Sequence, residues 1–197
     1  MKRSLQLAAI LLLGAIGPAV AQSNEKPIKI GILHDASGPY KDNQGPGDNV
    51  AVELALADFG GTVLGRRIET VFADHGNKAD IGLSIARRWY DAEDVGAIFG
   101  IGHSAVALGV QHLTREKNKI NVSVAASASD LIGKACSPNG FQWVHDTYSL
   151  AASVARAVMQ QGGKSWFFVT VDYAFGHAME RDAKAVVLQQ GGAVVGG

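Results

Sequence analysis

The side chains in this sequence that could do chemistry gather in four short stretches. They are His34-Asp35-Ala36-Ser37-Gly38-Pro39-Tyr40, Gly100-Ile101-Gly102-His103-Ser104, Ala125-Ala126-Ser127-Ala128-Ser129-Asp130 and Asp172-Tyr173-Ala174-Phe175-Gly176. All four carry hydroxyls or aromatic rings, and none carries Lys or Arg. Groups of this kind suit the capture of a small molecule. Hydroxyls and backbone N–H groups can hold a carboxylate, while Tyr40, Tyr173 and Phe175 can cover an apolar part. Ser104 and Ser127 fall near expected helix starts, where free N–H groups and the helix dipole favour an anion. The plainer alternative for each residue is a structural one: Ser is a leading N-cap, and the aromatic rings could fill the core.

The patterns that catalysis requires are missing. Residues 100–105 fit G-x-G-x-x-A, but a dinucleotide site also wants an acidic residue at the end of the next strand, about 20 residues on. Positions 120–127 hold none. The sequence contains no G-x-S-x-G and no H-E-x-x-H. Its six histidines, at 34, 75, 103, 112, 145 and 177, form no metal-spaced pair. His103 and Ser104 are adjacent, and sequence neighbours do not make a triad. We therefore expect no cofactor, no metal and no catalysis.

The four stretches have to be positioned by something, and the pattern between them says what. Short β-like runs at 27–33, 67–73, 95–99, 120–124 and 141–144 alternate with helical runs. Asp48 can cap a helix running to Phe59, which Gly60-Gly61 would stop. A helix over 79–91 puts Ile81, Ile85 and Trp89 on one face. Ser104 can cap the next helix, with Val106, Val110 and Leu113 as its stripe, and residues 125–134 read as a loop or short helix. From 148 to 161 the spacing predicts another helix, with Leu150, Val154 and Val158 stacked. The run Ser165–Val171 (S-W-F-F-V-T-V) reads as a strand buried on both faces. A helix over 176–189 and a strand start at Ala193 follow. Strand–helix alternation implies parallel strands with right-handed crossovers, a doubly wound α/β fold. In such sheets ligands sit outside the carboxyl ends of the strands, which is where all four stretches fall.

The chain also carries an address. Lys2 and Arg3 precede an apolar run from Leu5 to Ile16, then Gly17, Pro18 and the A-x-A of Ala19–Ala21. This is the layout of a secretory signal peptide cleaved after Ala21, and its apolar run is shorter than the roughly 20 residues a membrane span needs. Without Lys2 and Arg3, the 18 basic and 18 acidic residues become 16 and 18, a net charge of −2. That is not the basic stripe a nucleic-acid partner wants. Export permits disulfides, but Cys136 is the lone cysteine; we expect it to be a small buried residue, unless its partner lies outside this sequence. The sequence stops at Gly197 as a strand begins, so we expect it to be the N-terminal part of a longer protein.

The opening I-K-I-G-I-L-H-D-A-S-G-P-Y (28–40) resembles the first strand and loop of the type I periplasmic binding proteins, in the leucine/isoleucine/valine-binding family of ABC importers. The resemblance continues through V-L-G-R-R-I-E (63–69), A-D-H-G-N-K-A-D (73–80), I-N-V-S-V-A-A-S-A-S-D-L (120–131) and D-Y-A-F-G (172–176). It implies two α/β lobes that close on a ligand. Residues 22–145 would form lobe one, with the crossing near 144–148, and residues 146–197 would begin lobe two, incomplete here. Tyr40 would flank the ligand. Ser104, with Ala126 and Ser127, would hold its carboxylate, and Asp172, Tyr173 and Phe175 would close over it. His103 stands where the family often has a small or hydroxyl residue, which bears on ligand choice. The implied role is ligand capture for an ABC importer permease, with a branched-chain or related amino acid or small carboxylate as ligand, an aromatic acid included. A receptor's ligand-sensing domain and an exported α/β enzyme are the other readings.

Overall fold

The computed structural model describes residues 25–197; the expected signal peptide lies outside them. The sequence folds into two sheets with helices packed on them. In the first, the strands β1 (Ile28–His34), β2 (Thr62–Val63), β3 (Arg66–Asp74), β4 (Val95–Gly100), β5 (Ile120–Ser123) and β6 (Gly140–Gln142) lie in the order β2-β3-β1-β4-β5-β6. All neighbours are parallel except the short β2–β3 hairpin. Strand β1 is central, with Ile28–His34 paired to Ile68–Asp74 on one side and Lys29–Leu33 to residues 95–100 on the other. The helices of this part are α1 (Lys41–Gln44), α2 (Pro46–Phe59), α3 (Ala79–Asp91) and α4 (Ser104–Lys117). Beyond it, α5 (Thr147–Gln160), β7 (Ser165–Phe167), α6 (Ala174–Gln189) and β8 (Ala193–Gly196) form a second unit around a two-stranded parallel sheet. Among the described residues no helix is long and apolar enough to cross a membrane.

Alternation along the strands divides the packing. One face of the large sheet meets α3 and α4 in a core of Leu33, Ile85, Trp89, Val95, Ile98, Val106, Val110 and Leu113. The stripe expected for α4 is buried as read; on α3, Ile85 and Trp89 are buried while Ile81 lies towards solvent. On the opposite face Ile30, Ile32, Thr70 and Phe99 look across an apolar cleft of about 200 Å³ to Val52, Ala55 and Leu56 of α2. No residue of α2 is fully buried.

Several sequence expectations are corrected. Asp48 does not cap α2; the helix starts at Pro46 with Gly45 at the N-cap position, and no side chain caps it. Gly60 does end it, in the left-handed conformation (φ 89°) with its N–H on the Leu56 carbonyl. The cap of α4 is His103, not Ser104, since the His103 side chain accepts from the Val106 N–H. On α5 the buried face is Ala151, Ala152, Ala155 and Met159, and Val154 and Val158 are exposed. Small residues there let α5 approach α6, where Val186 and Val187 complete the contact. The run at 165–171 is a strand only over Ser165–Phe167, and it is not buried on both faces: Phe167 is 66% and Val169 95% exposed. Among the described residues its one strand partner is β8, and none pairs with its other side. Cys136 is exposed rather than buried.

Two features of the large sheet set measurable properties. At Gly31 a Cβ would meet Trp89 Cε3 at 2.5 Å and Val95 Cγ1 at 3.3 Å. Gly31→Ala should therefore overpack the core and cost about 1–3 kcal/mol in denaturant unfolding. His75, which follows β3, is fully buried; its Nδ1 accepts the Asn77 N–H at 3.1 Å. Burial holds its pKa down to about 4, against an ordinary 6.5, with the nearby Asp35 charge opposing the shift. Between those values the unfolded chain binds a proton that the folded one refuses. Stability from this group is thus complete above pH 6.5 and is lost as pH falls towards 4. His75→Asn, which keeps an acceptor for Asn77, should flatten the fall of melting temperature over that window. An unchanged slope would show that other groups cause it.

Candidate functional site

The carboxyl end of β1 runs into Asp35, whose side chain is wholly buried. Oδ1 accepts the Gly38 N–H at 2.7 Å and Oδ2 the Tyr40 N–H at 3.0 Å. The carboxylate thereby folds residues 35–40 into a fixed loop. It also explains Gly38, where a Cβ would lie 2.3 Å from Asp35 Oδ1. The product of this loop is the placement of Tyr40 over the sheet edge. One turn on, Gln44 is buried against Gly102, with its Oε1 unpartnered, and leaves no room for a Cβ at Gly102.

The loop after β4 is strained. Ile101, β-branched and fully buried, has φ 51°, a region such residues rarely enter. Three hydrogen bonds hold it there. Its N–H donates to Leu33 (2.8 Å), and its carbonyl accepts from Ser123 Oγ (2.8 Å) and the Ala126 N–H (3.2 Å). The kink presents His103 and Ser104. His103 Nδ1 accepts the Val106 N–H at 3.4 Å, which leaves the ring proton on Nε2. Burial lowers the His103 pKa, and Asp35 opposes the shift. Ser104 Oγ accepts the Ala128 N–H at 3.3 Å, tying the start of α4 to the loop after β5. In that loop Ser127 Oγ donates to the Ala125 carbonyl (3.1 Å), and the Ala126 carbonyl takes Gln142 Nε2 (2.9 Å).

The second unit reaches this edge through Tyr173. Its ring stacks on His103, centroids 4.6 Å apart at 25°, and its hydroxyl lies 2.7 Å from that of Tyr40. Burial, then the hydrogen bond with Tyr40, raises the Tyr173 pKa above the ordinary phenol value. Phe175 stacks behind Tyr173 at 6.0 Å, and His75 meets His103 edge-on at 6.4 Å.

Of the residues singled out from sequence, Tyr40, His103, Tyr173 and Phe175 thus form one aromatic line. Ser104, Ala126 and Ser127 are buried in the two adjoining loops joined through Ala128. Asp172 stands apart: its side chain is almost fully exposed and pairs with His177 Nε2 at 3.0 Å. Sequence reasoning missed Asp35, Gln44 and His75. The spacing of Asp35 and Gly38, an Asx-turn pattern, was the available signal for the first; nothing local marks the other two. Among the described residues no cluster of three His, Cys, Asp or Glu is placed to hold a metal. What the edge offers is hydroxyls, a neutral imidazole and aromatic faces, which bind small polar–apolar molecules.

Comparison with known proteins identifies the family. A family model described as periplasmic binding protein matches residues 27–197. No curated protein matches the chain. Among solved structures, a periplasmic binding protein from Burkholderia mallei is 44% identical with a TM-score of 0.83, over 86% of this chain and 45% of that one. A branched chain amino acid ABC transporter periplasmic ligand-binding protein from Burkholderia xenovorans is 36% identical with a TM-score of 0.71, over 86% and 45%. An ABC transporter solute binding protein from R. palustris, in complex with benzoate, is 25% identical with a TM-score of 0.77, over 87% and 47%. The chain spans about half the length of these relatives. With nearly all of its described residues inside the family match, the chain belongs to the periplasmic binding proteins of type I fold.

Proposed function

We propose that the protein carrying this chain captures a small carboxylate outside the cytoplasm and delivers it to the permease of an ABC importer. Residues 22–145 form one lobe in this reading, and the second begins at 146. Residues 1–21 direct export to the periplasm and are cleaved after Ala21. The observation that carries the proposal is the reach of Tyr173 from the second unit across to His103 and Tyr40. A contact made by facing groups of two units, at the carboxyl ends of the strands, is what a closing binding cleft requires.

The ligand's carboxylate is held by the hydroxyls of Ser104 and Ser127 and by backbone N–H groups beside Ala126 and at the start of α4, the Ala126 N–H itself being engaged by the Ile101 carbonyl. No Lys or Arg is needed, because N–H groups at a helix start bind anions. The remainder of the ligand lies against Tyr40, His103, Tyr173 and Phe175. Such a lining accepts a branched-chain side chain and suits an aromatic ring better, since stacked and edge-on rings add about 0.5–1.5 kcal/mol beyond area burial. The benzoate-bound relative from R. palustris supports an aromatic acid, and the Burkholderia xenovorans relative a branched-chain amino acid.

Calorimetric titration of the full-length protein with benzoate and with leucine tests the proposal. One of the two should bind and raise the melting temperature by mass action. Absence of binding by both, or turnover of either, would defeat it. Ser127→Ala should weaken carboxylate binding by about 1.5–3 kcal/mol, the worth of a hydrogen bond to a charged group. The ligand-free melting temperature should hardly move, since the hydroxyl's internal bond is long, 3.1 Å to Ala125. Lost stability with intact affinity would return Ser127 to a purely structural role.

A further inference from the structure

The described residues hold one buried, fully engaged carboxylate that the proposed site does not use. Asp182 lies on α6 in the second unit, with only 7% of its surface exposed. Its Oδ2 accepts two hydroxyls, Ser129 Oγ at 2.6 Å and Thr147 Oγ1 at 2.7 Å. Its Oδ1 accepts Arg181 Nε at 3.1 Å and Nη2 at 3.0 Å. Arg181 in turn reaches Asp130 Oδ1 at 2.9 Å and Ser129 Oγ at 2.7 Å. Ser129 and Asp130 belong to the loop after β5, immediately beyond Ala126 and Ser127. Thr147 opens α5, where the chain passes from the large sheet to the second unit.

The hydrogen bonds have a direction that matters. Thr147 Oγ1 donates to Asp182 and accepts the Ser129 N–H at 3.0 Å. The Thr147 N–H donates to the Ser127 carbonyl at 2.8 Å. The backbone on both sides of Ala128 is therefore fixed through Thr147, and the Thr147 and Ser129 hydroxyls are both oriented by Asp182. Short O–H···O⁻ bonds of 2.6–2.7 Å belong to the strong, charge-assisted class. An apolar contact of the same size would stabilise the junction at least as well. A buried charge brings an orientation that an apolar contact lacks, because its partners must all be in place together.

We propose that Asp182 is the positioning residue of the ligand loop at 125–131. Acting through Thr147 and Ser129, it sets that loop's backbone from the second unit, so that the loop reaches its binding geometry only when the two units are docked. The inference rests on the reading of Ser127 and Ala126 as carboxylate-holding residues. It adds a residue that touches no ligand and that controls how long the ligand stays.

The test uses the full-length protein with three variants, Asp182→Asn, Thr147→Val and Thr147→Ser. Valine keeps the shape of threonine and lacks the relay hydroxyl; serine restores it. Amide hydrogen exchange without ligand reads the positioning directly. Asp182→Asn and Thr147→Val should speed exchange at Ser129 and its neighbours about tenfold relative to β4 amides, the equivalent of one hydrogen bond, while Thr147→Ser stays near wild type. Stopped-flow release of benzoate, or of leucine if that is the ligand, should quicken by a similar factor, with association changed little. Unchanged loop protection would overturn the proposal. So would faster exchange with unchanged release, or a lowered melting temperature with both rates intact. If wild type binds neither probe, the proposed ligand fails on its own, and the exchange data still decide whether Asp182 sets the loop.

Discussion

A carboxylate withdrawn from water has to be met by donors, and in this protein Asp35 is met by backbone alone. The N–H groups of Gly38 and Tyr40 close on it, and the sheet edge is arranged around the result. The loop can fold this way because β1 is paired along its length on both sides, which delivers Asp35 to a fixed point. It also needs Gly38, whose missing side chain leaves space for the carboxylate. From that fixed point Tyr40 is aimed towards Tyr173, and the negative charge is felt by His75 and His103. Neutralising Asp35 would therefore disturb both the shape of the first loop and the field at the others.

The histidines show how burial and charge divide their work. Burial disfavours the charged imidazole in both, and the nearby Asp35 favours it without prevailing. His103 stays a neutral donor at Nε2, held by its cap on α4. A fixed cation under the cleft would hold any anion tightly and discriminate little. A neutral donor with an aromatic face reads shape and hydrogen-bonding pattern instead, which suits the proposed capture and release of a ligand.

Much of the large sheet was legible because its signals are local. Strand boundaries follow apolar runs ended by glycine or a polar turn, and Gly60 marks a left-handed helix end. The topology then places three of the four loops at one edge of the large sheet, while the fourth follows β7 in the second sheet and reaches them through Tyr173. Where the reading failed, two answers satisfied the same local rule. Helix α5 carries an aliphatic stripe (Leu150, Val154, Val158) and a small-residue stripe (Ala151, Ala155, Met159), and only the approach of α6 selects the second. Likewise S-W-F-F-V-T-V is apolar enough for a doubly covered strand, yet a strand extends only as far as its neighbours. The buried polar groups were the least legible. Nothing near Gln44, His75 or Asp182 in sequence announces burial: Gln44 is covered by Gly102 and Asp182 by Ser129 and Thr147, all far along the chain, and the one bond of His75, from the Asn77 N–H, is of a kind an exposed residue makes as readily. His103 illustrates the same limit: a Ser at the first helical turn is the better cap on propensity, but the strained turn at Ile101 puts the imidazole one residue earlier.

The contrast between two junctions in the molecule bears on how it works. Helices α5 and α6 meet through Ala152, Ala155, Met159, Val186 and Val187, an apolar contact that would be costly to expose and so stays closed. The second unit meets the edge loops of the large sheet in a different chemistry. A phenol hydroxyl faces a phenol hydroxyl, an imidazole faces a phenol ring, Asp182 takes the Ser129 hydroxyl and Arg181 pairs with Asp130. Water can replace each of those polar partners, so the opening proposed above would leave no charge there unsolvated. Directional bonds of this kind suit the proposed closure on a ligand, since they are satisfied together in one docked geometry, and the candidate ligand loops lie along them.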